Sequence, residues 1–143
     1  MIEIRTFDTL NLQPGSRVFY RVDYNVPLEG SRITDATRIE ETLPTLRRLR
    51  ERGAAIVVAS HLGRPKGERK EKYSLKPVRE RLAELLELDV QWADDCIGDE
   101  AEQKARSLAP GGILLLENLR FHAGEEKNDA AFAASLRRLA DFY

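Results

Sequence analysis

Two short runs of the chain, Ala54-Ala55-Ile56-Val57-Val58-Ala59 and Ile113-Leu114-Leu115-Leu116, contain no polar side chain at all. A strand with one wet face alternates apolar and polar residues. A short run without alternation is instead covered on both sides, as in a parallel sheet with helices above and below. The surrounding pattern supplies those helices. Val18 to Val22 reads as a strand after the Pro14-Gly15 turn. Ile39, Leu43, Leu46 and Leu49 then recur at helical spacing, with Gly53 where a C-terminal cap belongs. Pro44 interrupts that stripe, so either one helix kinks there or a second helix begins near Thr42. Ser74 reads as the N-cap of a helix that buries Val78, Leu82, Leu85 and Leu86. Val90 to Ala93 is a weaker strand, Glu100 to Leu108 a short helix closed by Pro110-Gly111-Gly112, and Asn128 caps a helix burying Phe132, Leu136 and Leu139.

Strand and helix thus alternate as βαβ units. The expected fold is α/β, a Rossmann-like open parallel sheet with helices on both faces. The pattern calls for another strand where the sequence closes on Asp141-Phe142-Tyr143, so the sheet is expected to be incomplete at its carboxy-terminal end and the chain to be part of a larger protein. At 143 residues there is room for one domain. With 23 Lys+Arg against 24 Asp+Glu the formal net charge is -1, which argues against a dedicated nucleic-acid or anionic-membrane binder. The mixed-sign stretch Lys66 to Lys72 reads as a solvated loop. Cys96 is the single cysteine, so no internal disulfide can form and a cytoplasmic setting is expected. No apolar run is long enough to span a membrane.

In open α/β sheets, ligands bind beyond the carboxyl ends of the strands. Here those positions carry Asp23, Tyr24 and Asn25 after the first strand, His61, Leu62, Gly63 and Arg64 after the second, and Glu117, Asn118, Arg120 and His122 after Leu116. Arg38 falls in the first turn of the helix starting near Asp35, where a cation opposes the macrodipole unless an anion compensates. Arg38, Arg64 and Arg120 with His61 form a cationic set suited to phosphate or carboxylate, because the guanidinium fork donates two parallel hydrogen bonds. Asp23 and Asn25 could accept from a ligand hydroxyl, or equally serve as turn formers. Trp92 and Cys96 read as packing residues, His122 as a histidine satisfied by a backbone carbonyl since no side chain in the sequence pairs with it, and Asp94-Asp95 as a helix cap rather than a metal pair. Neither glycine-rich phosphate fingerprint is present, and no Ser-His-Asp or Cys-His arrangement is legible.

Taken in order, four blocks resemble the phosphoglycerate kinase family. They are Arg21-Val22-Asp23-Tyr24-Asn25-Val26-Pro27, Asp35-Ala36-Thr37-Arg38-Ile39, Ser60-His61-Leu62-Gly63-Arg64-Pro65-Lys66-Gly67 and Leu115-Leu116-Glu117-Asn118-Leu119-Arg120-Phe121. Tyr73-Ser74-Leu75 with Pro77-Val78, and Gly124 to Asn128, add shorter matches, whereas Tyr20 replaces a more usual aliphatic residue. The resemblance implies reversible phosphoryl transfer between 1,3-bisphosphoglycerate and ADP, giving 3-phosphoglycerate and ATP, in glycolysis. Residues 1–143 would then be part of an amino-terminal phosphoglycerate-binding domain. Mg2+ and ADP or ATP would be held by a carboxy-terminal domain that this chain does not contain. The resemblance assigns Asp23, Tyr24, Asn25, His61, Leu62, Gly63, Arg64 and Arg120 to substrate binding, and Arg38 to both binding and catalysis. It implies no metal ligand in this chain, no nucleic-acid or membrane partner, and a monomeric family enzyme. The chain alone is expected to be inactive, and an open sheet edge invites self-association. A non-catalytic module that captures phosphoglycerate is the competing reading.

Overall fold

The computed structural model describes residues 14–29, 32–63, 71–122 and 130–139. Four parallel strands form the central sheet: β1 (Arg17–Arg21), β4 (Ala55–Ala59), β6 (Ile113–Leu116) and β5 (Gln91–Ala93), adjacent in that order. The two uninterrupted apolar runs thus become the two inner strands, and every residue of both is buried. Their side chains divide by the two-residue period of a strand. Ile56, Val58, Ile113 and Leu115 enter one core layer, and Ala55, Val57, Ala59, Leu114 and Leu116 enter the other.

Helices cover both faces. The short helix α1 (Thr37–Glu40), α2 (Leu43–Glu51) and α3 (Lys76–Leu86) supply Ile39, Leu46, Leu49, Val78 and Leu82 to the first layer. On the opposite side, α4 (Asp99–Arg106) and α5 (Ala130–Arg137) supply Ala101, Ala105, Phe132 and Leu136. Pro44 turns out to start a helix rather than kink one: Thr42 is the N-cap of α2 and the proline occupies its first turn, where a missing N–H costs nothing.

Three expectations change. Leu75, not Ser74, is the N-cap of α3, although the Ser74 hydroxyl accepts from the Lys76 amide at 3.2 Å while donating to the Glu117 carboxylate at 2.7 Å. Helix α1 is a single turn, so it has little macrodipole for Arg38 to oppose. A two-stranded antiparallel ribbon of β2 (Leu28–Glu29) and β3 (Arg32–Ile33) also lies between β1 and α1, and Gly30-Ser31 was its sequence signal. The proposed cap Asn128 lies outside the described residues, while Phe132, Leu136 and Leu139 are buried as expected. No helix among the described residues is long and apolar enough to cross a membrane.

Candidate functional site

Because β1, β4 and β6 are parallel and paired Arg21 to Ala59 and Val58 to Leu115, their following loops leave the same edge of the sheet. Side chains from each loop then tie it to the next. The Ser60 hydroxyl accepts from the Tyr24 amide at 2.9 Å, and the Asn25 side chain accepts from the Gly63 amide at 3.0 Å. Asn118 donates through Nδ2 to the carbonyls of Leu62 and Tyr73 at 2.7 and 2.9 Å, while its Oδ1 accepts from the Arg120 amide at 2.9 Å. An unbroken chain of polar contacts therefore runs from the first loop to the third.

Arg38 joins this rim from α1. Its Nη1 donates to the Asn25 carbonyl at 2.8 Å and to Asp23 Oδ1 at 3.2 Å. Both partners of the ion pair are at least half exposed, so the pair contributes no more than about 1 kcal/mol. Such a contact is easily exchanged for a stronger one to an incoming anion. Asp23 Oδ1 also accepts from the Asn25 amide at 3.1 Å, so turn former and ligand acceptor are compatible roles for it. At the start of α1, hydrogen bonds from the Thr37 hydroxyl and amide hold the Asp35 carboxyl below its usual range.

Below the rim lies a layer that the sequence did not single out. Glu117 is buried at the end of β6 and accepts from the Ser74 hydroxyl at 2.7 Å, the Leu75 amide at 2.8 Å and the Asn118 amide at 2.9 Å. It fastens the start of α3 to the loop carrying Arg120. The signal for it was a charged residue directly after an apolar strand, which position alone places among the polar strand ends of the rim rather than beneath it.

The candidate residues occupy three environments. Asp23, Asn25 and Arg38 are exposed on the rim, and His61, Gly63 and Arg120 are half-buried beside it. Tyr24 and Leu62 are buried beneath it, leaving only their backbone atoms at the loops. The Tyr24 hydroxyl meets Thr42 Oγ1 at 2.7 Å, and Thr42 donates to the Ile39 carbonyl. Burial raises the Tyr24 pKa well above the usual tyrosine value. Asn25, Leu62 and Gly63 line a cavity of about 280 Å³ together with Lys72 and Tyr73. Arg64 lies outside the described residues. His122, expected to be satisfied by a backbone carbonyl, instead meets Asp95 at 2.6 Å.

Comparison with known proteins adds to this geometry. Residues 8–143 match the family model for phosphoglycerate kinase. The phosphoglycerate kinase of Methylobacterium radiotolerans is 52% identical over 143 residues, covering 100% of this chain and 36% of that protein. That of Geobacter metallireducens is 52% identical over 141 residues, covering 98% and 35%. The crystal structure of phosphoglycerate kinase from Pyrococcus horikoshii aligns with a TM-score of 0.85 at 32% identity, covering 96% of this chain and 35% of that one. The Coxiella burnetii enzyme aligns with a TM-score of 0.80 at 35% identity, covering 93% and 33%. The chain spans about a third of the length of the relatives it matches. A shared sheet, shared helices and similarity along almost all of its residues place it in the phosphoglycerate kinase family.

Proposed function

We propose that this chain provides the phosphoglycerate side of a phosphoglycerate kinase, which transfers a phosphoryl group between 1,3-bisphosphoglycerate and ADP. The observation carrying this reading is the linked rim, where loops from three parallel strands and α1 bring Asp23, Asn25, Arg38, Gly63 and Arg120 onto one hydrogen-bonded framework. Arg38 and Arg120 would bind the anionic groups of a three-carbon phospho-acid, with His61 and Arg64 completing the cationic set. Asp23 and Asn25 would accept from its hydroxyl.

Arg38 has a second task in this reading, which is to stabilise the charge on the phosphoryl group during in-line transfer. In the forward direction the acyl phosphate breaks, ADP takes the phosphoryl group and a carboxylate leaves. In reverse that carboxylate attacks. It is already ionised at neutral pH, so the rim needs cations and no general base.

The magnesium nucleotide does not fit the described rim. Its exposed carboxylate Asp23 lies against the Arg38 cation, and Glu117 is buried among three donors, so the described rim gathers no set of carboxylates for a magnesium ion. We therefore assign it to a part of the enzyme beyond these residues, and expect the 143-residue chain to bind substrate without turning it over.

Calorimetric titration with 3-phosphoglycerate and, separately, with ATP tests the proposal. Saturable, salt-weakened binding of the acid that drops in Arg38→Ala supports it. Binding of ATP alone, or acid binding indifferent to Arg38, refutes it.

A further inference from the structure

Next to the proposed substrate rim, the loops after β5 and β6 bring together a carboxylate, a thiol and an imidazole. Since β5 pairs with β6 in parallel, Ala93 beside Leu116, both loops leave the sheet side by side. The Glu117 amide donates to the Ala93 carbonyl at 3.1 Å and fixes their spacing. Asp95 and Cys96 come from the first loop and His122 from the end of the second. One ligand atom from each, an oxygen, a sulfur and a nitrogen, lies within 4.8 Å of the other two.

We propose that Asp95, Cys96 and His122 bind a thiophilic divalent cation of the zinc type. The donor set is the argument. Thiolate and imidazole favour zinc or cobalt, whereas magnesium favours oxygen ligands only. With metal–ligand bonds of about 2.0–2.3 Å, tetrahedral ligands sit about 3.3–3.8 Å apart, so the His122–Asp95 pair has to open from 2.6 Å and any wider spacing within the 4.8 Å cluster has to close by about 1 Å. Three protein ligands leave the fourth position to solvent or another ligand.

The surroundings support that geometry. Asp95 Oδ1 accepts from the Cys96 amide at 2.7 Å, which sets the angle of the carboxylate. His122 packs against Phe132 with ring centroids 5.4 Å apart, so its imidazole is held toward the thiol and carboxylate. Cys96 is fully buried and Asp95 is half exposed, which gives an ion a wet approach and a dry seat. The neighbouring Asp94 is occupied otherwise, accepting from Trp92 Nε1 at 2.7 Å, so the site is built from Asp95 and not from the adjacent acid pair. On binding, the ion replaces the 2.6 Å contact between His122 and Asp95. The Cys96 thiol releases its proton to solvent and becomes the thiolate ligand, and neutral His122 donates a ring lone pair.

Cobalt(II) titration of the 143-residue chain tests the site, since Cys96 is its single cysteine. The expected result is one equivalent bound, with a near-ultraviolet sulfur-to-cobalt charge-transfer band that zinc abolishes and excess magnesium does not. Cys96→Ser removes the band, and His122→Ala weakens cobalt binding about 100-fold, while His61→Ala leaves both unchanged. Absence of the band at saturating cobalt, or binding unaffected by His122→Ala, overturns the proposal. Should either variant misfold, X-ray absorption of the zinc-loaded, unsubstituted chain decides. One short zinc–sulfur distance supports the site, and a shell of nitrogen and oxygen alone refutes it.

Discussion

Arg38 shows how much one side chain can be asked to do. Its guanidinium spans Asp23 and the Asn25 carbonyl, holding the first loop against α1. If it also stabilises the transferring phosphoryl group, Arg38→Ala in a full-length enzyme carrying this stretch lowers kcat by about 10³–10⁵-fold, the range for transition-state arginines. Steady-state kinetics check this, and a near-normal kcat would confine Arg38 to binding. Tyr24 makes a different prediction. Burial favours its neutral form in the folded state, so its contribution to stability is intact below the ordinary tyrosine value of about 10 and is lost as pH rises beyond it. Tyr24→Phe should lose about 0.5–1.5 kcal/mol at neutral pH with the Thr42 hydrogen bond, yet unfold less steeply with alkali. Denaturant titrations from pH 8 to pH 11, at about one-unit steps around that value, measure both effects.

Among the elements, the junction of β6, α3 and the loop after β4 depends on two adjacent residues, Glu117 and Asn118. Glu117→Ala would strand three donors, each costing about 1–3 kcal/mol if it stays dry, whereas Glu117→Gln keeps an acceptor for the backbone amides. Thermal unfolding should therefore rank the wild type above Gln and Gln above Ala. Gly63 is the tightest point of the same junction. Its φ is +63°, and a Cβ there would collide with the Tyr73 ring. Gly63→Ala should displace Tyr73 and weaken 3-phosphoglycerate binding as well as stability, readable by calorimetry.

The elements themselves were largely legible, because Ala54 to Ala59 and Ile113 to Leu116 admit few alternatives and Leu46, Leu49, Val78 and Leu82 mark helices by spacing. What escaped was chemistry between distant positions. Glu117 reaches back to Ser74, and Asp95 meets His122 from the loops that follow two adjacent parallel strands. Tyr24 falls within a motif that reads as substrate-facing, but its side chain completes the core. Periodicity reports burial along one segment; it carries no information about which polar groups meet across the fold.

At the scale of the whole molecule, ligand and edge effects can be separated. A ligand that binds only the folded chain stabilises it by about 2.7 kcal/mol at 100 times its Kd, roughly an 8 °C rise in Tm for a chain of this size. 3-Phosphoglycerate should give such a rise and ATP none, as thermal scans would reveal. Among the described residues, β1 and β5 each have a single neighbour in the sheet. Concentration-dependent association in sedimentation velocity is therefore expected, and a monomer at high concentration would speak against it. The stitching of three loops by Ser60, Asn25 and Asn118 has a last consequence. The ordering entropy of these loops is spent when the polypeptide folds. If the rim binds an anion as proposed, the described loops are already in register when it arrives, and more of its contact energy is left for affinity.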